Sequence, residues 1–484
     1  MTPTLLFITF LSYTALLFYV TWLTARKADS RTFFIGNKAS PWFVVAYGMI
    51  GASLSGVTFM SVPGWVKDTG FSYMVMVLGY LAGYMVIATV LLPLYYRLNL
   101  TSIYSYLEKR YGFWSYKTGS FFFLLSRTIG ASFRIFLVVS VLQVFVFDSW
   151  GIPFWLTSLI FITLIVLYTF KGGIRTIVWT DTLQTTFMLL SVIFSIIIIL
   201  RQLDIPFIKM VKSVSETDMS KMFFTDWRDS RFFLKQFLSG VFICIAMTGL
   251  DQEMMQKNLS CRTLRDAQKN MITFSFILVF VNLMFLFLGA VLYYYADIQQ
   301  ITHPGTSDNL YPFIAFRHLG AIPALIFIVG LISAAYPSAD GALTSLTTAF
   351  SIDFIGINKR TDWDEKKKRQ LRYLIHIGFA IILLTIIVIY NSINNSAIVE
   401  KLFAIAGYTY GPLLGLFAFG LFTKWDVKDK WVPIVAIISP VICYLISINS
   451  TQWLNGYKFG FELLLLNGIL TYAGLYLIKK LTKI

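Results

Sequence analysis

Charge is scarce in this chain. Only 13% of its 484 residues are Asp, Glu, Lys or Arg, against roughly 25% in soluble domains, so a soluble globular fold is excluded. Cysteine is nearly missing: Cys244, Cys261 and Cys443 have neither redox-motif nor ligand-pair spacing, and no disulfide or zinc site is implied. Histidine occurs only as His303, His318 and His376. No His/carboxylate cluster or nucleophile and base pair emerges, which speaks against an enzyme and leaves no cofactor to expect. A Walker motif, a Gly-rich phosphate loop and a soluble stretch of useful size are also lacking, so an ATP-driven pump is excluded. Uphill movement of a solute must then draw on an ion gradient.

What the chain has is apolar length: 57% of its residues are hydrophobic and 17% aromatic. A helix needs about 20 residues to cross a ~30 Å hydrocarbon core. Thirteen such runs cover nearly the whole sequence, at 5–24, 42–66, 72–96, 118–147, 153–170, 176–200, 232–254, 270–295, 320–351, 374–393, 398–423, 431–449 and 459–478. The first opens Met1-Thr2-Pro3-Thr4 with no basic residue, and no small-residue cleavage site precedes Arg26-Lys27. It is read as a spanning helix, not a signal peptide. The fold class is all-α and polytopic, and the lipid bilayer is its first partner.

The net charge of +16 is placed in alternate loops. Arg26, Lys27, Arg31 and Lys38 follow the first run, Arg97, Lys109, Arg110 and Lys117 the third, Lys171 and Arg175 the fifth. Lys257, Arg262, Arg265 and Lys269 follow the seventh, Lys359 to Arg372 the ninth, Lys424, Lys428 and Lys430 the eleventh, and Lys479, Lys480 and Lys483 the last. Basic loops stay cytoplasmic, so the amino terminus is expected outside a plasma (inner) membrane and the carboxyl terminus inside. The outer loop 201–231 departs from this, but its basic residues are largely offset by Asp204, Glu216, Asp218, Asp226 and Asp229. Nucleic acid is not a partner.

Three runs break the rule of a uniform apolar helix. The second reads Gly51-Ala52-Ser53-Leu54-Ser55-Gly56-Val57-Thr58-Phe59-Met60-Ser61-Val62-Pro63-Gly64. Unwound backbone at bilayer depth is tolerated where it lines a cavity, and broken helices at matching places in two halves point to a transporter's binding site. Ala246-Met247-Thr248-Gly249-Leu250-Asp251-Gln252, five helices on, is a weaker second break. The pair suggests one repeat over 42–200 and a second over 232–423, with 5–24 and 431–478 as additions. Five helices per repeat forces opposite orientation in the membrane.

The ninth run carries Ala334, Ser338, Gly341 and Ser345 on one helical stripe. Pro337 cannot donate to the Ser333 carbonyl, which frees an oxygen of the kind a hard cation wants. Ionisable residues inside spans cost roughly 2.5–3.5 kcal/mol each on insertion scales. Arg127, Arg134, Asp181 and Asp340 therefore serve either structural ion pairs or function.

With these features on the page, the chain resembles the sodium/solute symporters. Gly51-Ala52-Ser53-Leu54, Lys171-Gly172-Gly173-Ile174 with Trp179-Thr180-Asp181-Thr182-Leu183-Gln184-Thr185, Asp251-Gln252 with Gln256, and the stretch ending Ser351-Ile352-Asp353 carry the likeness. The resemblance implies leucine-transporter-like architecture with inverted five-helix repeats and Na+ as the coupling ion. It implies a sodium site at the carbonyls of Gly56, Phe59 and Ala334 and oxygens at Pro337 and Ser338. Proline in place of a hydroxyl at 337 is a departure. A second cation site in some members would fall on Asp181, Asp340 and Gly341, and both one sodium and two stay open.

On the substrate side, positions that hold sugar contacts in the sodium/glucose cotransporters match Ala82, Met247, Thr248 and Ala404. A hexose would find few partners there. Arg134 matches the arginine that grips the carboxylate in sialic acid symporters, and Thr58 a hydroxyl contact. Thr58, Arg134 and Thr248 are thus the expected substrate residues, and the expected activity is sodium-coupled import of a small organic anion by alternating access. Transport of an amino acid, an iodide-like anion, a sugar or a polyol, an uncoupled channel or sensor, and a structural Arg134–Asp340 pair are the alternatives. Nothing in the sequence sets the oligomeric state.

Overall fold

The computed structural model describes residues 2–24, 38–302, 305–360, 362–393 and 398–480, without the side chains of 171, 172, 175 and 398–403. Arg26, Lys27, Arg31, His303 and Lys483 lie outside the described residues, as do the side chains of Lys171 and Arg175. Each of the thirteen apolar runs lies mostly on helix, with non-helical residues at 54–55, 250–251 and 459–462. Among the described residues the only extended pairings are three isolated bridges, Ser40 with Cys261, Phe224 with Phe232 and Val427 with Lys479.

In chain order the principal helices are α1 (Pro3–Thr24), α2 (Trp42–Ser53), α3 (Gly56–Thr69) and α4 (Tyr73–Val86, prolonged to Arg97 through a π turn). Then follow α5 (Phe113–Leu142) and α6 (Phe154–Gln202). After them come α7 (Phe233–Cys244), α8 (Gln252–Leu259), α9 (Leu264–Ile298) and α10 (Ala321–Ala349). The last four are α11 (Glu365–Ile393), α12 (Ile398–Phe422), α13 (Val432–Ile448) and α14 (Leu463–Leu477).

By length and apolarity, nine helical stretches among the described residues suffice to cross a membrane, and ten if the bent pair α7 and α8 is one span. The difference from thirteen has physical sources. Gly56–Arg97 forms one apolar stretch interrupted only by the turn at Gly70, while Trp42–Ser53, Phe154–Phe170 and Leu463–Leu477 are shorter apolar helices. Glycine separates runs that otherwise merge: Gly173 adopts φ +54° inside α6 and Gly70 φ +56° after α3, a region open to glycine at no steric cost.

Burial distinguishes a core from a lipid-facing periphery. From Leu331 to Ala349 every residue of α10 is buried, whereas α13 exposes Ile434, Ile437, Ile438 and Val441. An exposed apolar face of that kind is stable in hydrocarbon and not in water. Close approach at the core depends on small residues. The Gly51 N–H donates to Thr185 Oγ1 at 3.0 Å, and a Cβ at Gly51 would collide with that hydroxyl, so α2 lies directly against α6.

Candidate transport site

The chain leaves the helix at Leu54 (φ −91°, ψ 92°) and Ser55 (φ −81°, ψ 177°) before α3 begins. The second break comes at Leu250 and Asp251, where α7 and α8 meet at a bend of 66°. Backbone freed at such breaks needs partners. Tyr95 donates to the Gly249 carbonyl at 2.8 Å and Tyr104 to the Leu250 carbonyl at 2.9 Å. The Asp251 carboxylate accepts from the N–H groups of Glu253 (2.9 Å) and Met254 (3.2 Å) and so caps α8.

Between the breaks lies a cavity of about 100 Å³. The α2–α3 break supplies Ser53, Ser55 and Thr58, α4 supplies Tyr73, Tyr80 and Tyr84, and α5 supplies Arg127 and Arg134. Met247, Thr248 and Asn282 complete its polar and softer walls. All three expected substrate residues, Thr58, Arg134 and Thr248, therefore meet in one place. Tyr73 also lines a wider vestibule of about 640 Å³ with Trp65, Asp68, Arg231, Tyr408 and Lys458, so the cavity adjoins open space on that side.

The opposite side is cross-linked. Gln252 accepts from the Ile103 N–H at 3.0 Å and donates to the Thr101 carbonyl at 2.8 Å. Asp353, at the end of the ninth run, accepts from Ser102 (2.9 Å), Tyr116 (2.8 Å) and Ser120 (3.1 Å), and the Lys117 ammonium donates to its backbone carbonyl. The arrangement is a bundle open on one face and latched on the other.

The two arginines of α5 differ. Arg127 pairs with Glu253 and sits 3.9 Å from Asp251, whose carboxylate also accepts from Tyr410 at 2.7 Å. Arg134 has no ion pair among the described residues, and its buried Nε has no hydrogen-bond partner. The Arg134–Asp340 pair is not formed among the described residues; Asp340 accepts from Tyr168 of α6. The cavity therefore presents one guanidinium that makes no ion pair among the described residues.

The expected sodium residues lie on α3 and on the buried stretch of α10. Phe59 packs its ring 5.5 Å from Phe327 of α10, joining the two helices. Ser338 is fully buried and its hydroxyl has no partner. A buried hydroxyl left unbonded costs about 1–3 kcal/mol, which a bound cation would recover. Ala334 and Pro337 are buried on the same stretch. The residues present thus fit a hard monovalent ion.

At the second expected cation site, Asp181, Asp340 and Gly341 come together with two residues that sequence reasoning missed. Lys257 places its ammonium 2.6 Å from Asp181 and 3.7 Å from Glu253, and a Cβ at Gly341 would strike the Glu253 carboxylate. Lys257 is 1% exposed, which corrects its assignment to a cytoplasmic loop: past the bend, α8 continues inside the protein. Its signal was the i, i+4 spacing from Glu253. The tyrosines of α4 were also missed, although their spacing of seven and four sets them on one face.

The family model of the sodium:solute symporters matches residues 33–426. The sodium/sialic acid symporter NanT of Aliivibrio fischeri is 22% identical over 93% of this chain and 90% of its own. The sodium-coupled monocarboxylate transporter 2 of Danio rerio is 26% identical over 86% and 68%. A solved sodium-coupled sialic acid symporter in a substrate-bound outward-open state superimposes with a TM-score of 0.82 at 19% identity, covering 98% of both chains. The nucleobase-cation-symport-1 transporter Mhp1 reaches 0.57 at 13% identity over 92% of each. Broken helices, an orphaned buried hydroxyl and the match over most of the length agree: this chain belongs to the sodium:solute symporter family.

Proposed function

We propose that the protein imports a small organic anion with sodium across the plasma (inner) membrane, by alternating access around the α2–α3 break. The observation that carries the anion reading is Arg134, an unpaired guanidinium in a cavity whose other cation is already neutralised. A guanidinium fork suits a carboxylate bidentately. The sialic acid and monocarboxylate transporters among the relatives carry organic anions, which supports it.

Sodium is assigned to the carbonyls of Gly56, Phe59 and Ala334 with oxygens at Pro337 and Ser338; the unbonded Ser338 hydroxyl supports the assignment. Asp181, Asp340 and Gly341 would form the second cation site, and the ammonium of Lys257, held 2.6 Å from Asp181, takes the place of the ion there. One sodium per cycle follows from that reading. The repeats are assigned to 42–200 and 232–423, supported by breaks in corresponding helices.

With the amino terminus outside, the vestibule opens outward and the Gln252 and Asp353 contacts close the cytoplasmic side. Sodium then enters from outside, where each charge gains ~2.3 kcal/mol per 100 mV of potential. Its ligation by α3 and α10 holds the outward-open state until solute binds. In liposomes with an inward sodium gradient, the purified protein should accumulate a radiolabelled organic anion, with uptake lost in Arg134→Ala and Ser338→Ala. Uptake of a neutral sugar, unchanged in Arg134→Ala, would overturn the proposal.

A further inference from the structure

Away from the transport cavity, an open groove runs between α6 and α9 beside the helix Phe207–Ser215. Ile193 and Ile197 line it from α6, Phe280, Leu283 and Phe287 from α9, and Phe71 from the turn after α3. Only Ser215 and Ser220 among the lining residues are polar. Phe280 is 71% exposed, so the surrounding medium and not the protein covers much of this surface.

The helix beside the groove is amphipathic. Phe207, Met210, Val211 and Val214 recur at the three- and four-residue spacing of one helical face. Met210 and Val214 are buried, and the Phe207 ring meets Phe287 edge-on at 5.6 Å. Lys209 and Lys212 are exposed and are the only charged residues of the helix. Neither makes an ion pair among the described residues. The acidic Glu216 and Asp218 come only after the helix ends. A helix with one apolar face and lysines on the other lies at the headgroup level of a bilayer, where its cations meet anionic lipid.

The groove leads down from that level. Tyr295 of α9 donates to Gln202 at the end of α6 at 3.0 Å, so the two helices end on the same side, the one from which the helix Phe207–Ser215 departs. At 1.5 Å per residue, Ile193 lies about 14 Å along the axis from Gln202, and Phe280 about 27 Å from Ile298. The walls therefore follow the course of a lipid tail, from the headgroups into the hydrocarbon.

We infer that this groove is a binding site for an anionic glycerophospholipid of that leaflet, with one acyl chain between α6 and α9 and the headgroup phosphate at Lys209 and Lys212. A neutral lipid would cover the apolar walls and leave both ammonium groups without an anion. Through Phe71 the acyl chain also bears on the turn that ends α3, where the Phe71 N–H donates to the Lys221 carbonyl at 3.0 Å. The site is thereby joined to one of the two helices assigned to sodium. The inference depends on the place of the chain in a membrane and on no assignment of solute.

Protein in nanodiscs is irradiated with phosphatidylglycerol or phosphatidylcholine carrying a diazirine in the lower half of one acyl chain, and the labelled peptides are mapped by mass spectrometry. Labelling of residues 193–197 and 280–287 should be at least about tenfold greater from phosphatidylglycerol than from phosphatidylcholine. Residues 434–441 of α13, which also expose apolar side chains, should take both probes alike. In the double variant Lys209→Gln, Lys212→Gln the preference should vanish while the groove is still labelled. The wild-type ratio decides the matter alone should that variant fail to fold. Equal labelling from the two probes, a preference that survives the double variant, or a groove that takes no label because a second copy of the chain covers it, overturns the inference. None of these results bears on the symport reading.

Discussion

At the residue scale, the account turns on groups whose partners are missing or oversupplied. Ser338→Ala removes the one side-chain hydroxyl assigned to sodium, and the sodium concentration for half-maximal uptake should rise at least about tenfold, since a lost oxygen ligand has no water to replace it at that depth. Arg134→Lys keeps the charge and loses the fork; solute KM should rise with sodium dependence retained. Lys257→Met leaves Asp181 buried without its cation, a loss of about 3–5 kcal/mol in such pairs. Thermal unfolding in detergent should report it, and Asp181→Asn should restore much of the loss if the two act as a pair. Arg134 and Ser338 could be read from the sequence because ionisable and hydroxyl residues inside apolar runs stand out. Lys257 was harder: a lysine just beyond a helix break reads as loop, its i, i+4 spacing from Glu253 is common on solvated helices as well, and the 66° bend that carries α8 inward decides between the two.

At the scale of elements, the breaks at 54–55 and 250–251 were legible, because small and polar residues crowd both places. What holds the second one open was not, since the tyrosines that bond its freed carbonyls come from 146 or more residues away. The Gly172-Gly173 step marked the division of α6 in the same direct way. The latch at Asp353 gives a test of element motion. Its carboxylate gathers three hydroxyl donors from the segment 102–120, and Asp353→Asn weakens all three. Residues 101–107 should then exchange backbone hydrogens faster, as the latched side opens more often. Exchange equal to that of the unaltered protein would show that the latch lies elsewhere.

At the scale of the whole molecule, the central claim is coupling: the sodium gradient does work on the solute because each ligand biases the same two-state bundle. Linkage requires that solute tighten sodium by the factor by which sodium tightens solute. The most direct test is the accumulation ratio of the transported anion in sealed proteoliposomes, with the membrane potential clamped at zero and sodium tenfold higher outside. If Lys257 stands in for a second ion, as proposed, one sodium moves with each anion and the ratio should settle at about tenfold. A ratio near about a hundredfold would mean two sodium ions and would remove Lys257 from that role. A ratio of one, with anion equilibrating and going no further, would contradict coupled symport itself.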